Sequence, residues 1–459
     1  MFQRSRAVLI YAASLGASIG AFFLIRSVGD SLVATATLGP LGPAKTAASE
    51  APGVLLHVLL ALVVVLVIAR ILGTIFRKLG QPQVMGEVVA GILLGPSFLG
   101  WLVPGAATQI LPASIAPYLA LIAQAGVVIY MFLVGLDLDT DLLRKYTRVS
   151  IAISNASIVA PFLLGTALSL WLYPLYSTRA VAFSTFALFI GVAMSITAFP
   201  VLARILMDRR MQKTRIGVLA LACAAINDVT AWCLLAFVVG MAHAHPGNVL
   251  FTLVTTLGFI FFVLMIAKRG ALWLVKRQVA KARTTQDMFA VVCVALLLSA
   301  SMTERIGIHA LFGAFLLGSV IPHDSALARD IREKCEDLVV VLLLPVFFAL
   351  TGMRTQIALV NGTRDWLVCI LIIATASLGK FGGSFLAARW TGSQWREAAS
   401  LGILMNTRGL MELIVLNVGL DLGVLSPALF TMFVLMAVVT TLATTPVLHA
   451  LEKPVVLKA

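Results

Sequence analysis

Five charged residues stand inside long apolar runs of this chain: Glu87, Asp228, Lys380, Arg408 and Glu412. At the centre of a bilayer a charge costs at least ~2.5–3.5 kcal/mol, so each is a functional hypothesis. Asp228 lies near the middle of its run, within Ala224-Ala225-Ile226-Asn227-Asp228-Val229-Thr230-Ala231-Trp232. One carboxylate beside an amide is a minimal site for a proton or an alkali cation. Removal from water disfavours the bare carboxylate, so a proton can compete with a metal near neutral pH. The structural alternative is a permanent pairing with Lys380, but an ion pair in lipid has little to recommend it for stability alone. Lys380 itself has two readings, as an anchor for Asp228 or as a donor to carbonyls at a helix break.

Two runs look broken. One carries Ser195-Ile196-Thr197-Ala198-Phe199-Pro200, where Pro200 removes a helical hydrogen bond and frees carbonyls near residue 196. The other carries Asn406-Thr407-Arg408-Gly409. The two lie seven runs apart and so cross a membrane in opposite directions, the layout expected of inverted repeats meeting at the midplane. Carbonyl ends of half-helices can bind a cation, and charged side chains offset the remaining dipoles. Arg408 is the candidate for that compensation, with Glu412 as its i,i+4 partner. Glu87 sits in Gly86-Glu87-Val88-Val89-Ala90-Gly91, among small residues that favour close helix packing. It either lines an access funnel or hydrogen-bonds a neighbouring helix.

The elements that must position these residues follow from composition. Of 459 residues, 60% are hydrophobic and 12% charged, and the mean hydropathy is +1.03. Soluble domains are nearer half apolar and about a quarter charged, so a soluble enzyme and a disordered chain are excluded. Unbroken apolar runs of about 20 residues argue for helices rather than a barrel. They fall near 7–27, 54–76, 83–100, 116–136, 149–173, 181–203, 216–241, 249–267, 288–303, 306–321, 338–353, 366–388, 397–420 and 427–449. This is an all-α polytopic membrane protein with about 14 spans, thirteen plus one extra at the N-terminus. The division at Thr303-Glu304-Arg305 is the narrowest. With the N-terminus in the cytoplasm, 26 of the 34 Lys and Arg fall in cytoplasmic segments, six in outer ones, and Lys380 and Arg408 within spans. That asymmetry places both termini inside. It accounts for the net charge of +14 without nucleic acid. The first run reads as a retained helix or a signal-like segment, and the Ala/Gly/Pro-rich stretch to residue 53 as an external linker. Five cysteines without CxxC spacing indicate neither a disulfide framework nor zinc.

Several stretches resemble the monovalent cation:proton antiporter-2 family, which includes bacterial glutathione-gated potassium efflux transporters and plant cation/proton exchangers. They are Gln81–Pro96 (QPQVMGEVVAGILLGP), Phe132–Asp139 (FLVGLDLD), Ser195–Leu206 (SITAFPVLARIL), Ala224–Leu235 (AAINDVTAWCLL), Gly307–Gly318 (GIHALFGAFLLG), Leu344–Gln356 (LPVFFALTGMRTQ), Lys380-Phe381-Gly382-Gly383 and Met405–Leu420 (MNTRGLMELIVLNVGL). The resemblance implies a sodium/proton antiporter-like fold with inverted repeats and two discontinuous crossing helices. It also implies a homodimer with a static scaffold (54–136 and 288–353) and a core (149–241 and 366–449) that moves like an elevator. Residues 249–287 are the linker helix and a cytoplasmic loop, and 1–53 stand outside this pattern.

By the same resemblance, Asp228 matches the ion-binding aspartate, and Ser195 and Thr197 match the break of the first discontinuous helix. Lys380 matches a lysine that pairs with the first of two adjacent aspartates in members that have both. Here that position is Asn227. Asn-Asp sites are associated with electroneutral exchange, and one carboxylate holding one proton or one cation agrees in direction. Protonation of Lys380 during the cycle is the complication. The chain ends ten residues after its last run, so the nucleotide-binding domain of the potassium efflux members is not expected.

The expectation is a secondary antiporter in the inner membrane, exchanging K+ or Na+ at Asp228 for a proton. Asn227, Ser195, Thr197 and freed carbonyls supply neutral oxygens. The plant-like motifs tilt the reading to K+. Only the loaded, neutral carboxylate crosses the hydrophobic barrier. No cofactor is implied, and the absence of GxxxxGK[ST] disfavours a built-in ATP-driven pump. A cation channel or uniporter on the same fold is the alternative. An intramembrane enzyme is disfavoured because neither HExxH nor closely paired catalytic aspartates are visible, and the motifs argue against a solute:sodium symporter.

Overall fold

The computed structural model describes residues 2–34, 54–102, 105, 111–137, 148–211, 214–243, 249–281 and 286–451. Most of the expected external linker, at 35–53, and the loop at 138–147 lie outside the described residues. Among those described, the secondary structure is helical, with no strand. In lipid each backbone polar group must be satisfied within the chain, and long apolar runs meet that demand as helices. The helices are α1 (Phe2–Gly29), α2 (Val54–Lys78), α3 (Gln83–Leu94), α4 (Ala116–Leu136), α5 (Arg148–Tyr176), α6 (Phe183–Ser195), α7 (Phe199–Asp208), α8 (Arg215–His243) and α9 (Val249–Phe262). There follow α10 (Lys268–Lys281), α11 (Gln286–Ile306), α12 (Ala310–Ser319), α13 (Ala326–Leu338), α14 (Leu344–Arg354), α15 (Gly362–Trp390), α16 (Trp395–Met405), α17 (Leu410–Asp421) and α18 (Pro427–Leu451).

Ten helices are long and apolar enough to cross a membrane among the described residues, or up to eleven with the bent pair α16–α17 taken as one span. Three shorter apolar helices, Gly16–Gly29, Phe183–Ser195 and Ala310–Ser319, overlap the expected runs 7–27, 181–203 and 306–321. Leu55, Leu56, Leu59 and Leu60 on α2 and Leu367, Ile370 and Leu378 on α15 are exposed, as lipid-facing residues are. Trp101, Trp390 and Trp395 are exposed near helix ends, where their amphipathic rings suit the interface.

Three boundaries differ from the sequence reading. Helix α11 continues through Thr303-Glu304-Arg305 and stops at Gly307-Ile308-His309, where Gly307 (φ 92°) and His309 (φ 74°) leave helical geometry. The charged stretch before residue 338 is helical too. Ser325 caps α13 by accepting from Ala328 N (3.1 Å), and one π-turn, Val339–Leu343, joins α13 to α14. Similarly, α9 runs through the π-turn Val263–Ala267 into basic α10, so much of the expected cytoplasmic loop is helix.

Packing divides the helices by neighbour. Helix α14 packs on α3 and α4, α4 on α12, α2 on α3 and α11 on α12. Helix α5 packs on α6, α8 and α15, α15 on α16 and α18, and α1 lies along α5. Helix α14 meets α17, linking the two sets.

Candidate functional site

The first break is three extended residues, Ile196–Ala198, between α6 and α7. β-branched Ile196 and Thr197 suit that conformation. Pro200 lies in the first turn of α7, where a helix needs no donor. The carbonyls are therefore freed by the extended segment and not by a missing proline N–H. The second break, Asn406–Gly409, lies between α16 and α17, which are bent by 41°. A Cβ at Gly409 would sit 2.4 Å from Val201 Cγ2, so a larger residue there would have to displace that side chain. The breaks touch: Ala198 N donates to Thr407 O and Thr197 Oγ1 to Met405 O, both at 3.1 Å.

Charged side chains meet the last carbonyls of α6. Arg408 donates to Ala193 O and Met194 O, both at 2.8 Å. It also pairs with Glu412 at 2.7 Å, with neither side chain exposed. Lys380 Nζ donates to Ser195 O and to Ser157 O. Two cations thus sit on the negative end of the α6 dipole. Of the two readings of Lys380, the structure places it on carbonyls and brings it into no ion pair with Asp228.

Asp228 lies mid-way along α8, 5% exposed. Neither carboxylate oxygen completes a hydrogen bond. The side chain of its neighbour Asn227 makes three hydrogen bonds. Ser154 Oγ donates to Asn227 Oδ1 (2.6 Å), while Asn227 Nδ2 donates to Ser157 Oγ (2.8 Å) and Thr197 Oγ1 (3.2 Å). Ser195 Oγ lies 2.7 Å from Gly191 O, to which it donates. Asn227, Thr197, Lys380 and Ser195 therefore belong to one network, linked through Ser157, at the breaks.

Glu87 is elsewhere. It is buried on α3 and accepts from Gln83 Nε2 (2.9 Å), a bond within its own helix. It lines a cavity of about 210 Å³ with Arg70, Arg77, Arg204 and Tyr130. Val201, Phe348 and Leu410 also line this cavity.

Ser154, Ser157 and Thr441 carry no chemical signal of their own in the sequence. The spacing i,i+3 places the two serines on one face of α5. Thr441 of α18 accepts from Arg408 N (2.9 Å) and donates to Arg408 O (2.8 Å), holding the second break. Among the described residues no group of His, Cys, Asp or Glu could hold a resident metal.

Comparison with known proteins agrees with this architecture. The chain is 44% identical over 396 residues to the Na(+)/H(+) antiporter NhaS4 of Synechocystis, covering 85% of this chain and 96% of that one. It is 39% identical to Cation/H(+) antiporter 20 of Arabidopsis thaliana, covering 85% of this chain and 48% of the relative. For the K(+)/H(+) antiporter 1 of Saccharomyces cerevisiae the identity is 35%, with 83% and 45% covered. The chain thus spans about half of the plant and yeast relatives. Its fold is similar to that of the sodium proton antiporter MjNhaP1 from Methanocaldococcus jannaschii, with a TM-score of 0.59, 15% identity, and 86% and 97% of the two chains covered. The family described as sodium/hydrogen exchanger, transmembrane, matches residues 58–451. The chain belongs to the sodium/hydrogen exchanger family, a family of transporters and not of enzymes.

Proposed function

We propose that the protein exchanges a monovalent cation, K+ or Na+, for a proton, with Asp228 as the shared site. The observation that carries this reading is a buried carboxylate with two unpartnered oxygens beside two helix breaks. The other buried charges at the breaks are already matched, Arg408 to Glu412 and to carbonyls, Lys380 to carbonyls. A bare Asp228 in this setting is electrostatically costly, and either a proton or a cation relieves it. The two ligands compete for the same oxygens, and only the loaded form is neutral enough to cross the barrier. Exchange follows without ATP. The relatives named as Na(+)/H(+) and K(+)/H(+) antiporters agree with either cation.

One carboxylate and a lysine held by Ser157 O and Ser195 O support one-for-one, electroneutral exchange. The division of packing supports an elevator. Helices 149–241 and 366–449 form the moving core and 54–136 and 288–353 the scaffold of a homodimer, in fourteen spans with both termini cytoplasmic. The cavity beside Glu87, rimmed by Arg70, Arg77 and Arg204, is then the cytoplasmic access funnel.

The test uses purified protein in liposomes with an inside-acid pH gradient read by a quenched amine dye. K+, Na+, Li+ and Rb+ are added in turn, with valinomycin to clamp voltage in the K+ runs. Dequenching that Asp228→Asn abolishes and that voltage does not alter is expected. A folded protein that dequenches with none of these cations overturns the reading, and cation current without proton movement replaces it with the channel.

A further inference from the structure

We propose that the neutral oxygens completing cation coordination beside Asp228 come from the second break, from Thr407 and Asn406, rather than from Asn227 and Thr197. The inference rests on the reading of Asp228 as the cation site. Three observations carry it.

The first is availability. Thr197 Oγ1 donates to Met405 O and accepts from Asn227, so one lone pair in one fixed direction remains. Asn227 holds three side-chain bonds that fasten α8 to α5 and to the first break. Turning either toward an ion would break several buried bonds. Thr407 Oγ1 and Asn406 Oδ1 are buried, at 0% and 3% residue exposure, and neither has a partner. Buried polar atoms are nearly always paired, and a persistent exception calls for a ligand or another functional reason.

The second is position. Thr407 O accepts from Ala198 N, and Thr197 Oγ1 joins Asn227, the residue before Asp228, to Met405 O, the residue before Asn406. The orphan oxygens and the orphan carboxylate therefore border the same junction.

The third is an electrostatic asymmetry. The carbonyl ends of α6 and α16 both point into the junction. That of α6 is neutralised by Arg408 and Lys380. That of α16 is met only by neutral donors among the described residues: Asn406 N on Ile403 O, Thr407 N on Leu404 O, and the Thr197 hydroxyl on Met405 O. The α16 end keeps its negative potential and favours a cation there. Hard hydroxyl and amide oxygens are the donor class that an alkali cation takes.

The test is Thr407→Val in the full chain, compared with Thr407→Ser and Asp228→Asn, in the liposome assay and in thermal melts with and without Na+ or K+. The valine loses no hydrogen bond, because the hydroxyl makes none, so its cation-free melting temperature should equal or exceed the parent's. Its apparent Km for the cation should rise about tenfold, and the cation-dependent rise in melting temperature should shrink accordingly. Thr407→Ser restores the oxygen and should recover affinity relative to the valine. Parent-like Km and cation-induced stabilisation in Thr407→Val, with Asp228→Asn inactive, overturn the ligand assignment alone. Activity in Asp228→Asn overturns the site reading itself. Should the valine variant not fold, Thr407→Cys exchanges a hard donor for a soft one. It should shift preference from K+ toward Tl+, and an unaltered Tl+ to K+ ratio overturns the proposal.

Discussion

Arg354, the last residue of α14, and Asp421, the last residue of α17, form an ion pair at 2.9 Å. Arg354 also donates to Asn417 Oδ1 (3.0 Å), and Asn417 Nδ2 returns a bond to Thr351 Oγ1 on α14 (2.8 Å). At the other end of the same two helices, Leu344, Phe348 and Leu410 line the cavity that holds Glu87. The pair is clasped at one end, and residues toward the other end line a cavity. A clasp between the set of helices around α14 and the set around α17 should favour the conformation in which this cavity is open.

Arg354→Ala and Asp421→Ala should each leave the melting temperature nearly unchanged. The side chains are 34% and 47% exposed, and such pairs contribute about 0.2–1 kcal/mol. The same energy acting on the conformational equilibrium raises the apparent cation Km on the cavity side by up to about fivefold. The double variant should match Arg354→Ala, the more affected single variant, because the arginine also holds Asn417. Additive Km changes in that cycle would show that the two residues act separately.

Lys380→Met should lower stability by about 2–4 kcal/mol, because it strands the carbonyls of Ser157 and Ser195 in a buried site. Residual exchange in this variant should stay insensitive to voltage if the lysine serves the helix end alone. A variant with parent stability and voltage-dependent exchange would instead make the lysine a participant in charge movement. Melting curves and the valinomycin clamp read the two outcomes separately.

Much of this was legible in the sequence, for physical reasons that differ by residue. Long apolar runs have one solution in lipid, so the helices could be read. Charges inside those runs are so costly that Asp228, Lys380, Arg408 and Glu412 announced themselves. The i,i+4 spacing gave the Arg408–Glu412 pair directly. Other features depend on distant partners. Ser154 and Ser157 are ordinary small residues until α8 places Asn227 beside them. Lys380 had two plausible acceptors, and only the path of residues 195–198 decides between them. The end of α11 was misplaced because Glu304 and Arg305 look like a loop, although Glu304 accepts from Ala310 N and caps the next helix (2.7 Å).

The buried Arg408–Glu412 pair predicts an asymmetry. Arg408→Leu leaves Glu412 without its cation and frees Ala193 O and Met194 O at the end of α6. Removal of one partner from a buried pair typically costs about 3–5 kcal/mol. Glu412→Gln retains an oxygen that can accept from Arg408, and the guanidinium keeps its two carbonyl acceptors. It should lose clearly less stability than the leucine variant. Equal losses in thermal melts of the two proteins would mean that the carbonyl contacts contribute nothing.

Asn227→Asp is the most informative single change, because it alters charge while nearly preserving shape. The amide nitrogen now donates to Ser157 Oγ and Thr197 Oγ1. A carboxylate has no proton to give, so both contacts become oxygen against oxygen. The hydroxyls cannot simply turn: Ser157 Oγ donates to Ser154 O (2.8 Å), and Thr197 Oγ1 is spent on Met405 O. About 2–4 kcal/mol of stability should be lost, as expected for two buried bonds broken together. The new carboxylate also lies beside Ser157, whose carbonyl holds Lys380. That gives the lysine a carboxylate partner, and a second acid able to carry a proton through the cycle. Exchange in Asn227→Asp should therefore respond to clamped voltage, whereas exchange in the parent should not. Voltage-insensitive exchange in a stably folded Asn227→Asp protein would show that the number of carboxylates does not set the charge moved per cycle.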